Sequence, residues 1–253
     1  MIRVLISGAA GRMGRAMAAN LLQEQDMQLA AAVDVAGGQC GELTVKTDLA
    51  QALAEDRPDV MLDFTVPSAV MGNLRLALAA HVPCVVGTTG IGPDEQAELR
   101  RLCEQYQTPC FVASNFALSA VLMMRFAAEA ARYLPEYEVL EIHNERKADA
   151  PSGTALTTLT MMEQQRQQDA VGAANTTEKV AGCRGGAFAG SHVHSMRMPG
   201  TVALQNVIFG APGQLLEIRQ ECTSRDCFWP GVALALRRVS GLQGLVMGLE
   251  TLL

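Results

Sequence analysis

Short apolar runs alternate with amphipathic stretches over the first half of the chain. The apolar runs are rich in Val, Ile and Leu, and the stretches between them repeat apolar residues at helical spacing. Continuous apolar strands separated by helices are typical of a parallel sheet that is buried on both faces. The predicted strands are Ile2–Ile6, Gln28–Asp34, Asp59–Phe64, Pro83–Val86 and Cys110–Ala113, and the predicted helices are Arg12–Gln23, Leu49–Glu55, Ser68–Ala80 and Asp94–Tyr106. The first half is therefore predicted to be a doubly wound α/β domain.

The pattern changes after Asn115. The predicted elements are a helix over Ala117–Tyr133, a strand over Glu138–His143, a helix from Ser152 to about Gln168, and strands over Val193–Met198, Val202–Phe209 and Leu215–Glu221. Pro199-Gly200 and the segment 210–213 separate the last three strands and predict antiparallel hairpins. Residues 169–190 show no apolar period, which predicts a mobile functional loop or a disordered excursion. The second region is therefore predicted to be α+β with a mixed, largely antiparallel sheet, and helical segments follow from about Gly231.

Composition and charge exclude several classes of protein. The chain has 253 residues, 49% of them hydrophobic, and a net charge of −6 without a basic run, which argues against bulk nucleic-acid binding. No apolar run is long enough to span a bilayer, and no signal-peptide pattern opens the sequence, so we expect a cytoplasmic protein without membrane attachment. The seven cysteines form no C-x-x-C pair and are predicted to be reduced packing residues. Four histidines without metal-ligand spacing predict no metal site.

A glycine triplet follows the first predicted strand. Gly8, Gly11 and Gly14 stand three residues apart at the start of a predicted helix, with Ala9 and Ala10 before the second glycine. Glycines there permit a tight turn and a close backbone approach, and a helix N-terminus offers free N–H groups to a pyrophosphate. A packing turn is the alternative interpretation. The position favours a Rossmann-type dinucleotide site that includes Arg12 and Met13.

Asp34 supports this interpretation because it ends the second predicted strand, where an acidic side chain accepts hydrogen bonds from the adenosine ribose. The segment 35–38 that follows contains no cation to bind a 2′-phosphate, and Asp34 itself would repel one. We therefore expect NADH to be preferred over NADPH. Arg12 lies close to the glycine loop, and a contact between Arg12 and the 2′-phosphate of NADPH would make this preference slight.

Three further loops follow predicted parallel strands, at the edge where such sheets bind ligands. Their sequences are Asp63 to Pro67, Gly87-Thr88-Thr89-Gly90, and Ala113-Ser114-Asn115-Phe116. Small and hydroxyl-bearing residues there suit a nicotinamide ribose and carboxamide. The alternative is that these Thr and Asn residues only cap helices and form turns.

The segment 141–155, EIHNERKADAPSGTA, carries the strongest chemical signal. Strand alternation places Leu140 and Ile142 on one face and Val139, Glu141 and His143 on the other, which predicts that His143 lies on a polar face. A histidine exchanges protons near neutral pH, although a hydrogen-bonded structural imidazole is the alternative.

A helix start follows the histidine by a few residues. The predicted N-terminus of this helix is Pro151-Ser152-Gly153-Thr154, and its amides and hydroxyls suit a carboxylate. Lys147 lies a few residues away and would add a positive charge. The alternative is that the Lys147 side chain is only solvated. This combination predicts a site for a small carboxylate whose reaction consumes a proton as well as a hydride.

These motifs together resemble the 4-hydroxy-tetrahydrodipicolinate reductase (dihydrodipicolinate reductase) family from residue 2 to about 232. The resemblance rests on GAAGRMG, DFTVP, GTTG, ASNF and above all KADAPSGTA. It implies reduction by NAD(P)H of the cyclic product of dihydrodipicolinate synthase to tetrahydrodipicolinate, with loss of water, in the diaminopimelate–lysine pathway. It also implies a dinucleotide domain over 1–115 and 229–253, a substrate-binding and oligomerisation domain over 116–228, and a homotetramer built through the central sheet.

The resemblance also assigns residue roles. His143 matches the proton donor/acceptor histidine, Lys147 the proton-donating lysine, and Gly153 and Thr154 the clamp on a substrate carboxylate. The matches to cofactor contacts are Gly8, Ala9, Ala10, Gly11, Arg12, Met13, Asp34, Gly87, Thr88, Thr89, Ala113, Ser114, Asn115 and Phe116.

One substrate position departs from the family. The family usually has a second histidine after the first, and this chain has Asn144, which cannot protonate. We therefore expect substrate affinity or its pH dependence to differ. His192, His194 and Arg197 are expected to be structural.

Two other functions stay open at this point. A dehydrogenase of another amino or imino acid, such as an aspartate dehydrogenase, would share the first domain but would not need the DAPSGT segment. A non-catalytic dinucleotide-binding paralogue would lose His143 or Lys147, and both are present.

Overall fold

The computed structural model describes residues 1–168 and 177–253, which form two compact units. The first unit comprises Met1–Phe116 and Arg225–Leu253, and the second comprises Ala117–Ser224. Within the described ranges, no helix is long and apolar enough to cross a membrane.

The elements of the first unit alternate strand and helix. Before residue 117 they are β1 (Ile2–Ser7), α1 (Arg12–Leu21), β2 (Met27–Val33), β3 (Gly38–Cys40), β4 (Leu43–Val45), α2 (Leu49–Asp56), β5 (Val60–Asp63), α3 (Pro67–Ala79), β6 (Cys84–Val86), α4 (Pro93–Tyr106) and β7 (Cys110–Val112). The elements of the second unit are α5 (Leu118–Ala131), β8 (Glu136–His143), α6 (Gly153–Gln165), β9 (Gly186–Phe188), β10 (Ser191–Arg197), β11 (Ala203–Ala211) and β12 (Gln214–Cys222). The chain then returns to the first unit with α7 (Trp229–Arg238) and β13 (Leu245–Met247), flanked by 3₁₀ turns over Arg225–Phe228, Val239–Gly241 and Leu249–Leu252.

The first unit is built on a six-stranded sheet in the order β13-β7-β6-β5-β1-β2, and every pair of neighbouring strands is parallel. Residues of β5, β6 and β7 are buried along the whole strand because helices cover the sheet, which explains their continuous apolar runs. The predicted doubly wound parallel sheet is confirmed.

Two features of this unit were not predicted. Strands β3 and β4 form a short antiparallel hairpin after β2. Strand β13 pairs with β7 at the edge of the sheet, where the sequence had predicted only helices. Both are three-residue strands, too short for a period of two to be recognised.

The second unit contains a five-stranded mixed sheet in the order β12-β11-β8-β10-β9. The β11–β12 hairpin was predicted and is present, but the predicted hairpin of β10 and β11 is wrong. Strand β8 lies between them, parallel to β10 and antiparallel to β11. The turn at Pro199-Gly200 reverses the chain, but the pairing partner is set by packing, since Val139 of β8 has Val193 and Val207 as its cross-strand neighbours and all three are buried.

The alternation predicted for β8 is present, but the predicted polarity of its faces is wrong. Tyr137, Val139 and Glu141 are buried, whereas Leu140 and Ile142 on the opposite face are half-buried. His143 therefore extends from the buried face of the sheet. An acidic residue in a strand predicts a solvent-facing position, but Glu141 is instead buried and paired with Arg197 inside the unit.

Two other predictions are corrected. Residues 169–176 of the predicted loop lie outside the described residues, and within 177–190 the segment Gly186–Phe188 is a strand. All seven cysteines are free, but Cys183 is exposed and Cys227 half-buried, so the prediction that all are packing residues is wrong for Cys183.

Candidate active site

The glycine loop connects β1 to α1 in a conformation that requires its glycines. Gly8 has a φ of +83°, and a Cβ there would lie 2.4 Å from the carbonyl oxygen of Phe64. A Cβ at Gly14 would lie 2.1 Å from the carbonyl oxygen of Gly8. Gly11 is the N-cap of α1 and makes no side-chain cap, so the first-turn N–H groups can bind an anion.

Asp34 lies beside this loop. Its Oδ2 accepts a hydrogen bond from the backbone N–H of Ala10 at 3.0 Å, and its Oδ1 accepts one from Ala36 at 3.0 Å. A carboxylate has about four acceptor positions, so the side chain retains capacity for the two hydroxyls of a ribose. The structure thus brings together the two sequence features on which the dinucleotide prediction depends.

A pocket lies where β6, β7 and β13 end. It is lined by Thr88, Thr89, Gly90, Ile91, Gln96, Val112, Ser114, Met247, Gly248 and Glu250. Three of these residues were predicted as cofactor contacts. The contribution of 247–250 was missed because the strand that leads into it, β13, is only three residues long.

Several of the predicted cofactor-binding residues have side chains that are buried and cannot contact a cofactor. Phe116 is buried and packs edge-on against Phe64 and Phe111. Ala9 and Ala113 are buried as well, and a Cβ at Gly87 would meet the ring of Phe64. At these positions only the backbone can contact a cofactor.

Thr88 has a structural bond of its own. Its hydroxyl donates to the buried carboxylate of Asp63 at 2.6 Å, and that carboxylate also accepts from Thr65 and Asn73. This network holds the loops after β5 and β6 together. These bonds give Thr88 and Thr65 a structural role in the loops, and Thr88 also lines the pocket.

In the second unit, β8 ends at His143, whose Nδ1 is hydrogen-bonded to Oε2 of Glu141. Glu141 has no exposed side-chain surface, and its Oε1 lies 2.9 Å from Nη2 of Arg197. Burial raises the pKa of a carboxyl, but the hydrogen bond with His143 and the nearby Arg197 and Ser195 side chains outweigh it and lower the pKa of Glu141 to about 2. Arg197, for which the sequence predicts a structural role, thus pairs with the carboxylate that contacts His143.

The loop after β8 carries Lys147. Its Nζ lies 2.8 and 2.9 Å from the two carboxylate oxygens of Asp149, and these bonds lower the pKa of the Asp149 carboxyl. The turn is closed by Asn144, whose carbonyl accepts from the backbone N–H of Lys147 at 3.0 Å and whose Oδ1 accepts from that of Arg146 at 3.3 Å. Lys147 is therefore held in an ion pair and is not merely solvated.

The predicted carboxylate site is the N-terminus of α6. Ser152 is the N-cap, and its buried hydroxyl accepts from the backbone N–H of Ala155 at 3.2 Å, so its side chain serves the helix. Gly153 is exposed, with no atom within 4 Å of a Cβ placed there. A ligand can therefore approach the backbone at Gly153 directly. Among residues 1–168 and 177–253, no group of His, Cys, Asp and Glu is arranged to hold a metal ion.

A parallel sheet with a glycine-rich loop after its first strand, and a second unit in which a histidine, a lysine and an exposed helix N-terminus follow one another along the chain, are typical of a nucleotide-dependent oxidoreductase. The family models give the particular family. The model "Dihydrodipicolinate reductase, N-terminus" matches residues 2–116, and "Dihydrodipicolinate reductase, C-terminus" matches residues 119–253. The chain belongs to the dihydrodipicolinate reductase family.

Individual proteins agree with this membership. The chain is 49% identical to the 4-hydroxy-tetrahydrodipicolinate reductase of Moorella thermoacetica, over 100% of this chain and 98% of that protein. It is 45% identical to that of Desulfitobacterium hafniense (strain DSM 10664 / DCB-2), with the same coverage. A solved dipicolinate-bound dihydrodipicolinate reductase from Paenisporosarcina sp. TG-14 has a TM-score of 0.90 and 36% identity and covers 100% of both chains. An amine dehydrogenase from Mycobacterium smegmatis, with a TM-score of 0.65 and 12% identity over 98% of this chain and 95% of that one, shares the fold.

Proposed function

We propose that this chain reduces (2S,4S)-4-hydroxy-2,3,4,5-tetrahydrodipicolinate to 2,3,4,5-tetrahydrodipicolinate and water, with NAD(P)H as the reductant, in lysine and diaminopimelate biosynthesis. The observation that carries the proposal is that β8 ends at His143 and that the loop with Lys147 leads from there to the exposed N-terminus of α6, in a chain 49% identical to a reductase of that name. An aspartate dehydrogenase-like enzyme would not need this helix start, and a non-catalytic paralogue would not need both proton donors.

The two units divide the work in this proposal. Residues 1–115 and 229–253 bind the dinucleotide, and residues 116–228 bind the substrate and form the oligomer contacts. In the second unit, the amides of Gly153 and Thr154 bind one substrate carboxylate, because a helix N-terminus favours anions. Asn144 contributes a neutral polar contact, and the backbone of Ser152 completes the turn.

The chemistry requires one proton. A bound nicotinamide would supply the hydride that takes the place of the substrate hydroxyl, and that hydroxyl would leave as water once it had received a proton. The ammonium of Lys147 donates this proton, and His143 donates and accepts protons at its ring. Asp149 holds the ammonium in place before the substrate binds, since it pairs with Nζ through both carboxylate oxygens.

The cofactor site fits a pyridine dinucleotide. A Cβ at Gly8 or Gly14 would collide with a backbone carbonyl, so these glycines permit the tight turn before α1, and the uncapped first turn of α1 suits a pyrophosphate. Arg12 and Met13 stand on that turn, and Thr88, Thr89 and Ser114 line the pocket that would hold the nicotinamide half. The remaining predicted contacts, Ala9, Ala10, Gly87, Ala113, Asn115 and Phe116, belong to the same loops.

We expect NADH to be preferred over NADPH. Asp34 accepts two backbone N–H bonds and presents its remaining lone pairs to a ribose, whereas a 2′-phosphate would lie against its negative charge. The ratio of kcat/KM for the two cofactors measures this preference, and a ratio in favour of NADPH would contradict it. An Arg12→Ala variant should widen the ratio toward NADH if Arg12 supports a 2′-phosphate.

The activity is tested by following NADH absorbance at 340 nm with substrate made in place from pyruvate and aspartate semialdehyde by dihydrodipicolinate synthase. We expect oxidation only when the synthase and both of its substrates are present. Oxidation that does not depend on the synthase, or no oxidation at all, would overturn the proposed function. Aspartate and oxaloacetate with ammonia serve as the comparison substrates for an aspartate dehydrogenase.

The proposal includes a homotetramer built through the sheet of the second unit, in the cytoplasm. Two exposed apolar side chains on one face of this sheet, Met196 on β10 and Leu215 on β12, support a protein contact there. Seven free thiols are in keeping with a reducing compartment.

A further inference from the structure

A carboxylate inside the second unit adjoins the proposed proton-transfer histidine. Glu141 lies two residues before His143 on the same face of β8 and is completely buried. Its cross-strand neighbours are Ser195 on β10 and Gln205 on β11. A buried charge is costly unless it is paired, so this position needs specific partners.

Glu141 has those partners on both oxygens. Oε2 is hydrogen-bonded to Nδ1 of His143, and Oε1 forms an ion pair with Nη2 of Arg197 at 2.9 Å. With its pKa at about 2, the carboxyl stays ionised throughout the pH range of an enzyme assay. An ionised carboxylate can only accept hydrogen bonds. Nδ1 of His143 must therefore carry a hydrogen in this arrangement.

We propose that Glu141 is a positioning residue that holds His143 in its Nδ1–H tautomer and leaves Nε2 as the atom that exchanges protons with the substrate. The inference rests on the proposed function for its chemistry, but its structural part stands on the contacts of Glu141. A carboxylate on one ring nitrogen fixes the tautomer and the ring orientation and stabilises the protonated ring. Glu141 itself does not touch the substrate.

Arg197 holds this carboxylate in place. The same Nη2 that pairs with Glu141 donates to the backbone carbonyl of Asp149 at 2.6 Å, and Nη1 donates to the carbonyl of Met196 at 2.7 Å. The guanidinium thus connects the partner of His143 to the loop that carries the partner of Lys147. Arg197 thus contacts the residues that pair with both proposed proton donors, namely Glu141, the partner of His143, and Asp149, the partner of Lys147.

Glu141→Gln tests the proposal because it keeps the size of the side chain and removes the charge. We expect kcat to fall by roughly 10²-fold or more, with the KM for the substrate and the dissociation constant for NADH near their wild-type values. The fall of kcat/KM on the alkaline side should move to lower pH, because an anion that stabilises the imidazolium has been removed. A purely charge-balancing role for Glu141 opposite Arg197 would be filled by Glu141→Asp, which keeps the charge, so that variant separates the two roles.

The tautomer can be read without any turnover. The ¹⁵N NMR signals of the His143 ring, assigned by comparison with His143→Ala, should show a protonated Nδ1 and an unprotonated Nε2 when the ring is neutral. In Glu141→Gln the proton should redistribute between the two nitrogens. This NMR measurement does not depend on activity. If the protein showed no activity in the synthase-coupled assay, the proposed function would be contradicted, but the NMR measurement would still test the role of Glu141.

Glu138→Gln is the matched control. Glu138 lies on the opposite face of β8 and accepts a hydrogen bond from another histidine, His194, at 2.7 Å. We expect that variant to keep the wild-type kcat and pH profile. If Glu141→Gln does not fold, Glu141→Asp replaces it in these experiments. This variant keeps the charge opposite Arg197 but draws the carboxylate away from Nδ1, so we expect the same fall in kcat. Wild-type kcat, pH profile and ¹⁵N spectrum in the folded variant would overturn the proposal.

Discussion

Replacement of either proposed proton donor is expected to lower kcat by about 10²-fold or more while NADH binding stays nearly intact. In His143→Ala the ring that exchanges protons is lost, and in Lys147→Ala the ammonium that Asp149 holds is lost. Both residues lie in the second unit, outside the glycine loop and the pocket beyond β6 and β7. Steady-state kinetics in the synthase-coupled assay give kcat, and fluorescence titration gives the dissociation constant of NADH.

Lys179→Ala is the control for Lys147→Ala, since Lys179 is an exposed lysine of the same unit. We expect it to show wild-type kinetics. If His143→Ala or Lys147→Ala retained the wild-type kcat, the role assigned to that residue would be wrong. A rise in KM alone would instead indicate that the residue only binds the substrate.

A methyl group at Gly14, in the first turn of α1, is expected to weaken dinucleotide binding. In Gly14→Ala the Cβ would lie 2.1 Å from the carbonyl oxygen of Gly8 and 2.8 Å from Cα of Ala9, and both of these are backbone atoms that cannot rotate away. The segment that contains Gly8 and Ala9 would then have to move away from the first turn of α1. We expect a loss of stability of about 1–3 kcal/mol, and a fall in NADH affinity of roughly 10- to 100-fold as charge-assisted phosphate bonds are lost.

Gly72→Ala is the matched control in the same unit. Gly72 lies in α3, is exposed, and has no atom within 4 Å of a Cβ placed there. It should bind NADH as the wild type does and gain up to about 1 kcal/mol of stability, because alanine is the better helix former. Thermal unfolding with and without NADH measures both effects. Unchanged NADH affinity in Gly14→Ala would contradict a phosphate-binding role for this loop.

The first unit could be predicted well because its signals are local. A strand buried on both faces is a continuous apolar run, and the helices between such strands have their own period, so β1, β5, β6 and β7 were found from the residues alone. Strand β13 was missed because three residues carry too little pattern, and its partner β7 lies far away along the chain.

The polar network of the second unit could not be predicted for a related reason. The burial of Glu141 depends on Arg197, which reaches it only because β10 pairs with β8, and the pairing of β8 between β10 and β11 is not encoded in any turn. The sequence identified His143 and Lys147 by their residue types and spacing. It could not identify the carboxylate behind the histidine, because an acidic residue in a strand usually indicates the solvent face.

The late strand β13 has a consequence for synthesis on the ribosome. The second unit needs no residue beyond Ser224, so all of its strands are available before the first unit has its own sixth strand. Until residues 245–247 emerge, the edge of β7 presents unpaired N–H and C=O groups, which is a surface to which other strands can add. A nascent or truncated chain that lacks the last nine residues therefore presents an open parallel edge, and aggregation rather than simple loss of activity is its expected failure.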